Sequence, residues 1–407
     1  MKKVIITLLL LNLIAASVLI FVNMKNSSQE SDSNGKSEDS NQQKDSVIDN
    51  MSLEEKVGQM IFAGIDDTVL NENTKTLISK YNVGGLIFYG DNLQNPEQSV
   101  ELLNDVKTTN LDNRFPLFLG IDQEGGRVTR LPGNIVEMPT NQQIGEIGNE
   151  RFSYDFGELL GQQLNAFGFN MNFAPVLDVN SNPNNPVIGD RSFGNNVDIV
   201  SKLGIQTMKG IEAQHVIPVV KHFPGHGDTS VDSHLELPIV DKTREEINEL
   251  EIIPFQKAIN EGTDVVMVAH ILLPKIDPTY PSSMSTPIIS GILREELQFN
   301  GVVMTDDMTM NAIMDHYGIG EAIVESVKAG SDIVLIAHDF SKVITAIDAL
   351  VSAVESGEIS ESRINESVER IIKLKQKYKL KDTTVDNVDI DILNQTINGV
   401  LEKYMNE

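Results

Sequence analysis

Gly301-Val302-Val303-Met304-Thr305-Asp306-Asp307-Met308 is a short apolar run that ends in two carboxylates. Such a run suits a strand buried on both faces of a parallel sheet. Alternate residues of a strand share a face, so Asp306 lies with Val302 and Met304, and Asp307 points the other way. One carboxylate is therefore expected to enter a pocket while its neighbour starts the next loop. The same form recurs at Val57–Gly64, Val83–Tyr89, Pro116–Ile121, Phe169–Leu177, Ile217–Val220, Asp264–Ala269 and Asp332–Ala337. Amphipathic stretches such as Ser153–Phe167, Asp198–Gln214, Arg244–Glu261 and Glu321–Ala329 separate these runs. Strands that alternate with helices in this number predict an α/β fold, a single (β/α)8 TIM barrel. A doubly wound open sheet competes with it. However, no G-x-G-x-x-G follows the first strand and no G-x-x-x-x-G-K-[ST] occurs. Ser341–Ser356 and Ser360–Lys379 are predicted as closing helices, with Gly357 as the cap between them.

Barrel enzymes carry their chemistry at the carboxyl ends of the strands. Those ends read Asp122, Asp178, Lys221-His222, His270, Asp306-Asp307 and His338. One charged residue after an apolar run often only caps a helix. So many on a common rim predict a polar pocket. The stretch from Lys221 to His234, with Pro224, Gly225 and Gly227, is expected to be a loop throughout. Three readings fit it: a zinc site of His222, His226, Asp228 and His234, an acid/base pair of Asp232 and His234, or a solvated loop. Gly120–Arg130 and Gly189–Gly194 place Asp and Arg in glycine-bearing loops. Such pairs suit bidentate hydrogen bonds to vicinal hydroxyls or to an acetamido carbonyl, or they only staple the loops.

The motifs Ile121-Asp122-Gln123-Glu124-Gly125-Gly126-Arg127, Gly189-Asp190-Arg191-Ser192-Phe193, Lys221-His222-Phe223-Pro224-Gly225-His226-Gly227, Asp232-Ser233-His234 and Thr305-Asp306-Asp307-Met308 occur in this order. Together they resemble glycoside hydrolase family 3, in its β-N-acetylglucosaminidase branch, across most of residues 47–380. The resemblance implies a retaining exo-glycosidase that needs no metal or cofactor and acts on a small carbohydrate. Asp306 would be the nucleophile, and His234 oriented by Asp232 the acid/base. Asp122, Arg130, Arg191, Lys221 and His222 would hold the terminal sugar. Many members carry a second α/β domain, so the expectation here is a site completed by the barrel's own loops. Asp307 stands where distant members often carry a bulky aromatic, which predicts a more polar pocket floor. An Asp–His pair also departs from the two carboxylates, about 5–5.5 Å apart, of most retaining glycosidases. Phosphorolysis at the same site and a non-catalytic sugar-binding protein are the competing readings.

Outward from the barrel, the sequence changes character. Met1-Lys2-Lys3 precedes an uncharged run from Val4 to Val22. Nineteen residues at ~1.5 Å each reach about the thickness of a bilayer core. Residues 1–23 are expected to be a signal peptide or signal-anchor that exports the chain, with any membrane attachment confined to 4–22. Residues 24–46 are too polar to offset their ordering entropy and are expected as a tether. The barrel is assigned to 47–381 and 382–407 to an acidic tail, within which Val385–Glu407 reads either as a loose helix or as a tail. The chain has 32 basic and 59 acidic residues, a net charge of −27. That charge argues against nucleic acid or anionic lipid as a partner and favours solubility. With no Cys, disulfides, thiol catalysis and thioether lipid anchors are excluded. A monomer is expected.

Overall fold

The computed structural model describes residues 47–233 and 235–405 of the 407-residue chain. The expected export segment and tether at 1–46, and His234, lie outside the described residues. Residues 47–51 form a helical turn closed by the Met51 N–H donating to the Ile48 carbonyl at 3.0 Å. A compact unit begins at Ser52. Among the described residues no helix is long and apolar enough to cross a membrane.

Eight strands close a parallel barrel in chain order. They are β1 (Ile61–Gly64), β2 (Gly85–Phe88), β3 (Phe118–Ile121), β4 (Met171–Asn172), β5 (Ile217–Phe223), β6 (Val265–Val268), β7 (Val302–Asp307) and β8 (Ile333–Ile336). β1 pairs with β2 on one side and β8 on the other, which removes both sheet edges. The predicted fold class holds.

The barrel interior is packed below its rim by phenylalanines. Phe62 stacks on Phe118 at 6.4 Å and meets Phe173 edge-on at 5.6 Å. Glycine makes room for them: a Cβ at Gly85 would come within 2.6 Å of the Phe62 ring, and one at Gly120 within 2.7 Å of Phe173. This apolar plug fills the lower barrel, so a ligand can enter only from the carboxyl-end rim.

Four boundaries differ from the sequence reading. The first run is divided: a Ser52–Glu55 capping box starts a helix over Leu53–Gln59, and β1 begins only at Ile61. β4 is reduced to two residues: Pro175 beyond it has no N–H for the ladder, and pairing with β5 resumes only as a bridge at Val176, where the Leu177 N–H donates to the Lys221 carbonyl at 2.6 Å. The helix expected over Arg244–Glu261 breaks into Arg244–Glu249 and Ile252–Asn260. Pro254 has no N–H to give the Leu250 carbonyl four residues earlier, so the turn cannot continue. Finally, β5 runs on through Lys221, His222 and Phe223, which the loop expectation had missed.

Of the two forms expected for the last residues, a loose helix or a tail, the structure shows a helix. It spans Ile390–Met405 and is packed on the helix Glu150–Phe167. Ile397 is buried, the Tyr404 ring stacks on Phe152 at 4.8 Å, and the Tyr404 hydroxyl donates to Asp155 at 2.7 Å. Its exposed positions are mainly polar, with Asp391 and Glu402 the acidic ones, and one apolar stripe suffices for docking.

Candidate active site

The strand ends converge on a pocket of about 330 Å³. Every described residue expected at the site lines it: Asp306, Asp232, Asp122, Arg130, Arg191, Lys221 and His222.

β5 supplies Lys221, whose Nζ lies 2.5 Å from Asp122 Oδ1 at the end of β3 and 2.7 Å from Glu124 Oε1. Arg191 grips the same Glu124 with two nitrogens, Nε at 2.8 Å and Nη2 at 2.7 Å. Burial by itself would raise the Glu124 carboxyl, but Arg191 and Lys221 outweigh it and hold the group well below the usual carboxylate range. Burial likewise disfavours charge on Lys221, and Asp122 and Glu124 reverse the effect. The result is a set of fixed charges beneath the pocket, each compensated before any ligand arrives.

A second buried unit stands beside it. Asp178, past β4, meets His222 Nδ1 at 2.6 Å and accepts the His226 N–H at 2.6 Å. Burial opposes its ionisation, and the two histidines and these hydrogen bonds overcome that opposition. With Nδ1 engaged, His222 turns Nε2 toward Arg191, 3.4 Å away. His226 is itself buried, and burial followed by repulsion from His222 pushes its imidazole down to about 4. It is therefore neutral near pH 7. Its Nδ1 lies 2.7 Å from the Thr229 hydroxyl, which steadies the loop that leads to Asp232.

At the end of β7 the two carboxylates separate as the strand alternation predicts. Asp306 is half-buried and faces the pocket, and its Oδ1 accepts the Asp307 N–H at 2.8 Å. Burial favours its neutral form, yet His270, His222, the Asp307 N–H and Lys221 together draw the group below the usual carboxylate value. Asp307 also touches the pocket, but its oxygens accept from Thr309 N and Oγ1 and from Ala337 N at 2.7–2.9 Å. It closes the rim between β7 and β8. The polar floor expected of it is largely spent on the backbone.

Residue reasoning passed over three participants. Glu124 stands inside a quoted motif, but it is three residues beyond β3 rather than at its end. Tyr89 follows β2 directly, but it marks that strand end with an aromatic ring and not with an Asp, Lys or His. Its ring lines the pocket and stacks on His338 at 5.2 Å. His226 was weighed only as a metal ligand. Of the two Asp–Arg clusters, Arg127–Asp190 at 2.7 Å is a half-exposed staple between loops, whereas Arg191 pairs with Glu124. For the alternatives at the Lys221–His234 stretch, the described geometry ties His222 to Asp178 and His226 to Thr229.

The chain is similar to known proteins over most of this unit. The Glycosyl hydrolase family 3 N terminal domain matches residues 52–374. Beta-hexosaminidase A of Pseudoalteromonas piscicida is 37% identical over 76% of this chain, which spans only 56% of that protein's length. Beta-hexosaminidase of Nitrosomonas eutropha is 30% identical over 82% of the chain and 97% of its own. Among solved structures, a glycoside hydrolase family 3 beta-N-acetylglucosaminidase from Paenibacillus sp. superposes with a TM-score of 0.82 at 41% identity. That match covers 87% of this chain and 69% of the other. The pocket at the carboxyl ends of a closed parallel barrel and these matches agree: the chain belongs to glycosyl hydrolase family 3 and is a glycoside hydrolase.

Proposed function

We propose that the enzyme removes terminal non-reducing β-N-acetylglucosamine with retention of configuration. The observation that carries this reading is the half-buried Asp306 opening onto a pocket that Asp122, Lys221 and Arg191 also line, with Glu124 tying Lys221 and Arg191 together beneath it. At about 330 Å³ the pocket sits at the small end of ligand sites, which run to roughly 1,000 Å³, and suits one sugar ring at a chain end.

In this mechanism the Asp306 carboxylate attacks the anomeric carbon as the glycosidic C–O bond breaks. His234, oriented by Asp232, gives its proton to the departing oxygen. A water then loses a proton to His234 and attacks the same carbon, releasing Asp306 and a β-configured sugar. Asp122 and Lys221 bind ring hydroxyls, with Arg130, Arg191 and His222 completing the cradle. Fixed charges that need no rearrangement favour the transition state over solvation by water. Fragments of cell-wall glycan or chitin oligosaccharides supply such ends. The apolar run at Val4–Val22 supports an exported enzyme that meets them outside the cytoplasm, held by that segment or released. Recovery of the protein from the cytosol would overturn the export reading.

The deciding assay offers an aryl N-acetyl-β-glucosaminide and the matching β-glucoside, each with and without phosphate. Release from the acetamido sugar at a rate independent of phosphate is expected. Release only with phosphate would indicate phosphorolysis, and release from neither compound would sink the proposal.

A further inference from the structure

The helix Ile390–Met405 lies beyond the residues matched by the family domain, and the chemistry above makes no use of it. Its position gives it a specific task. Asn394 Oδ1 accepts the Val136 N–H at 2.8 Å, and Asn394 Nδ2 donates to the Asn134 carbonyl at 2.7 Å. Among the described residues these are the only hydrogen bonds made to the backbone of 132–137. That segment follows Arg130, which lines the pocket, after the single buried residue Leu131.

Arg130 is thus held from two sides. Upstream, the Gln123 side-chain oxygen accepts the Arg130 N–H at 2.9 Å and the Leu131 N–H at 3.4 Å. Gln123 is buried and is itself fixed by Gln163 at 3.0 Å. Downstream, among the described residues, Asn394 makes the only hydrogen bonds to the loop backbone before Met138, whose carbonyl accepts the Gly126 N–H at 3.1 Å. Gly133, at φ +99°, gives this stretch backbone freedom that an anchor must remove. The helix that carries the anchor is secured at its other end by Tyr404 on Phe152 and Asp155.

We propose that Asn394 is a positioning residue for the sugar site: it clamps the 132–137 loop and through it sets the placement of Arg130. The inference rests on the reading of Arg130 as a sugar-holding group. It makes the C-terminal helix a working part of the site. Losing the clamp frees the loop before substrate arrives, so binding bears the ordering cost while the chemical step, centred on Asp306, is spared.

The test compares Asn394→Ala, Asn394→Asp, Arg130→Ala and the Ala/Ala double variant in the full-length protein, using steady-state kinetics on the aryl N-acetyl-β-glucosaminide. Asn394→Ala is expected to raise KM about fivefold, with kcat changed less than about twofold. Asn394→Asp keeps the oxygen that accepts from Val136 and is expected to recover part of the loss. In the Arg130→Ala background, Asn394→Ala is expected to change KM no further, a non-additivity that a merely structural role would not produce. An Asn394→Ala enzyme with wild-type KM, or an effect that persists undiminished without Arg130, would overturn the clamp while leaving the sugar-holding reading intact. If Arg130→Ala itself leaves KM unchanged, the reading of Arg130 fails and takes the clamp with it.

Discussion

Glu124 receives Arg191 as a two-pronged ion pair, at 2.7 and 2.8 Å, from a position almost wholly shielded from water. Lys221 joins the same carboxylate at 2.7 Å, so one anion compensates two cations at the floor of the sugar pocket.

Removing that anion is expected to do more harm than removing any exposed charge. Glu124→Gln leaves Arg191 and Lys221 as like charges without the carboxylate that both of them contact, which costs about 3–5 kcal/mol. Arg127→Ala breaks the half-exposed pair with Asp190 and the hydrogen bonds to the Val187 and Ile188 carbonyls, and is expected to cost about 1–2 kcal/mol. Urea unfolding of the two variants checks the contrast, and equal losses would contradict it.

Asp306→Asn is expected to cut turnover by about three orders of magnitude or more while the protein still binds the sugar. Its isosteric amide keeps the shape of the pocket wall and removes the nucleophilic charge. Initial rates paired with equilibrium binding of N-acetylglucosamine separate the two effects. Retained turnover would remove Asp306 from the role of nucleophile.

For His234→Ala the leaving group decides the outcome. An activated aryl glycoside departs with little protonation, so its hydrolysis is expected to survive far better than that of an alkyl glycoside or a disaccharide. Rates on a series of leaving groups provide the measurement. An equal loss across the series would count against His234 as the acid.

A buried lysine at the opposite end of the barrel should appear in the pH dependence of stability. Lys375 donates to Gln59 Oε1 at 2.8 Å and the Gly84 carbonyl at 2.9 Å, and lies 4.7 Å from the Phe118 ring centre. Burial, opposed in part by Asp382, lowers its amine from 10.5 to about 7. Between about pH 7 and 10 the unfolded chain holds this proton and the folded one does not, so stability from this group rises with pH. Lys375→Met abolishes that rise. Its melting temperature relative to wild type is therefore expected to be highest below pH 7 and to fall by pH 10. A difference independent of pH would contradict the depressed amine.

Much of the site was legible because barrel topology converts strand order into spatial proximity. Asp122, Lys221, His222 and Asp306 each follow or end an apolar run, and any eight such ends meet at one rim. Glu124 and Tyr89 escaped that reasoning for physical causes. Glu124 acts from within a turn, where the Glu124 N–H to Val128 carbonyl bond at 2.9 Å folds it back under the pocket. Tyr89 contributes an aromatic face rather than a charge. The docking of the C-terminal helix was not legible because it rests on partners far away in the chain, with Tyr404 on Phe152 and Asp155 and Asn394 on Val136.

By itself, the sequence determined the closed barrel and the rim on which its chemistry lies, because burial on both faces of eight strands imposes a pattern each segment displays locally. Only the tertiary structure decided which charges answer one another. Lys221 meets Asp122 across 99 positions, Arg191 meets Glu124 across 67, and Asn394 meets Val136 across 258. Side-chain hydrogen bonds require matched direction and distance to within a few tenths of an ångström, and no local pattern of residue types encodes that match.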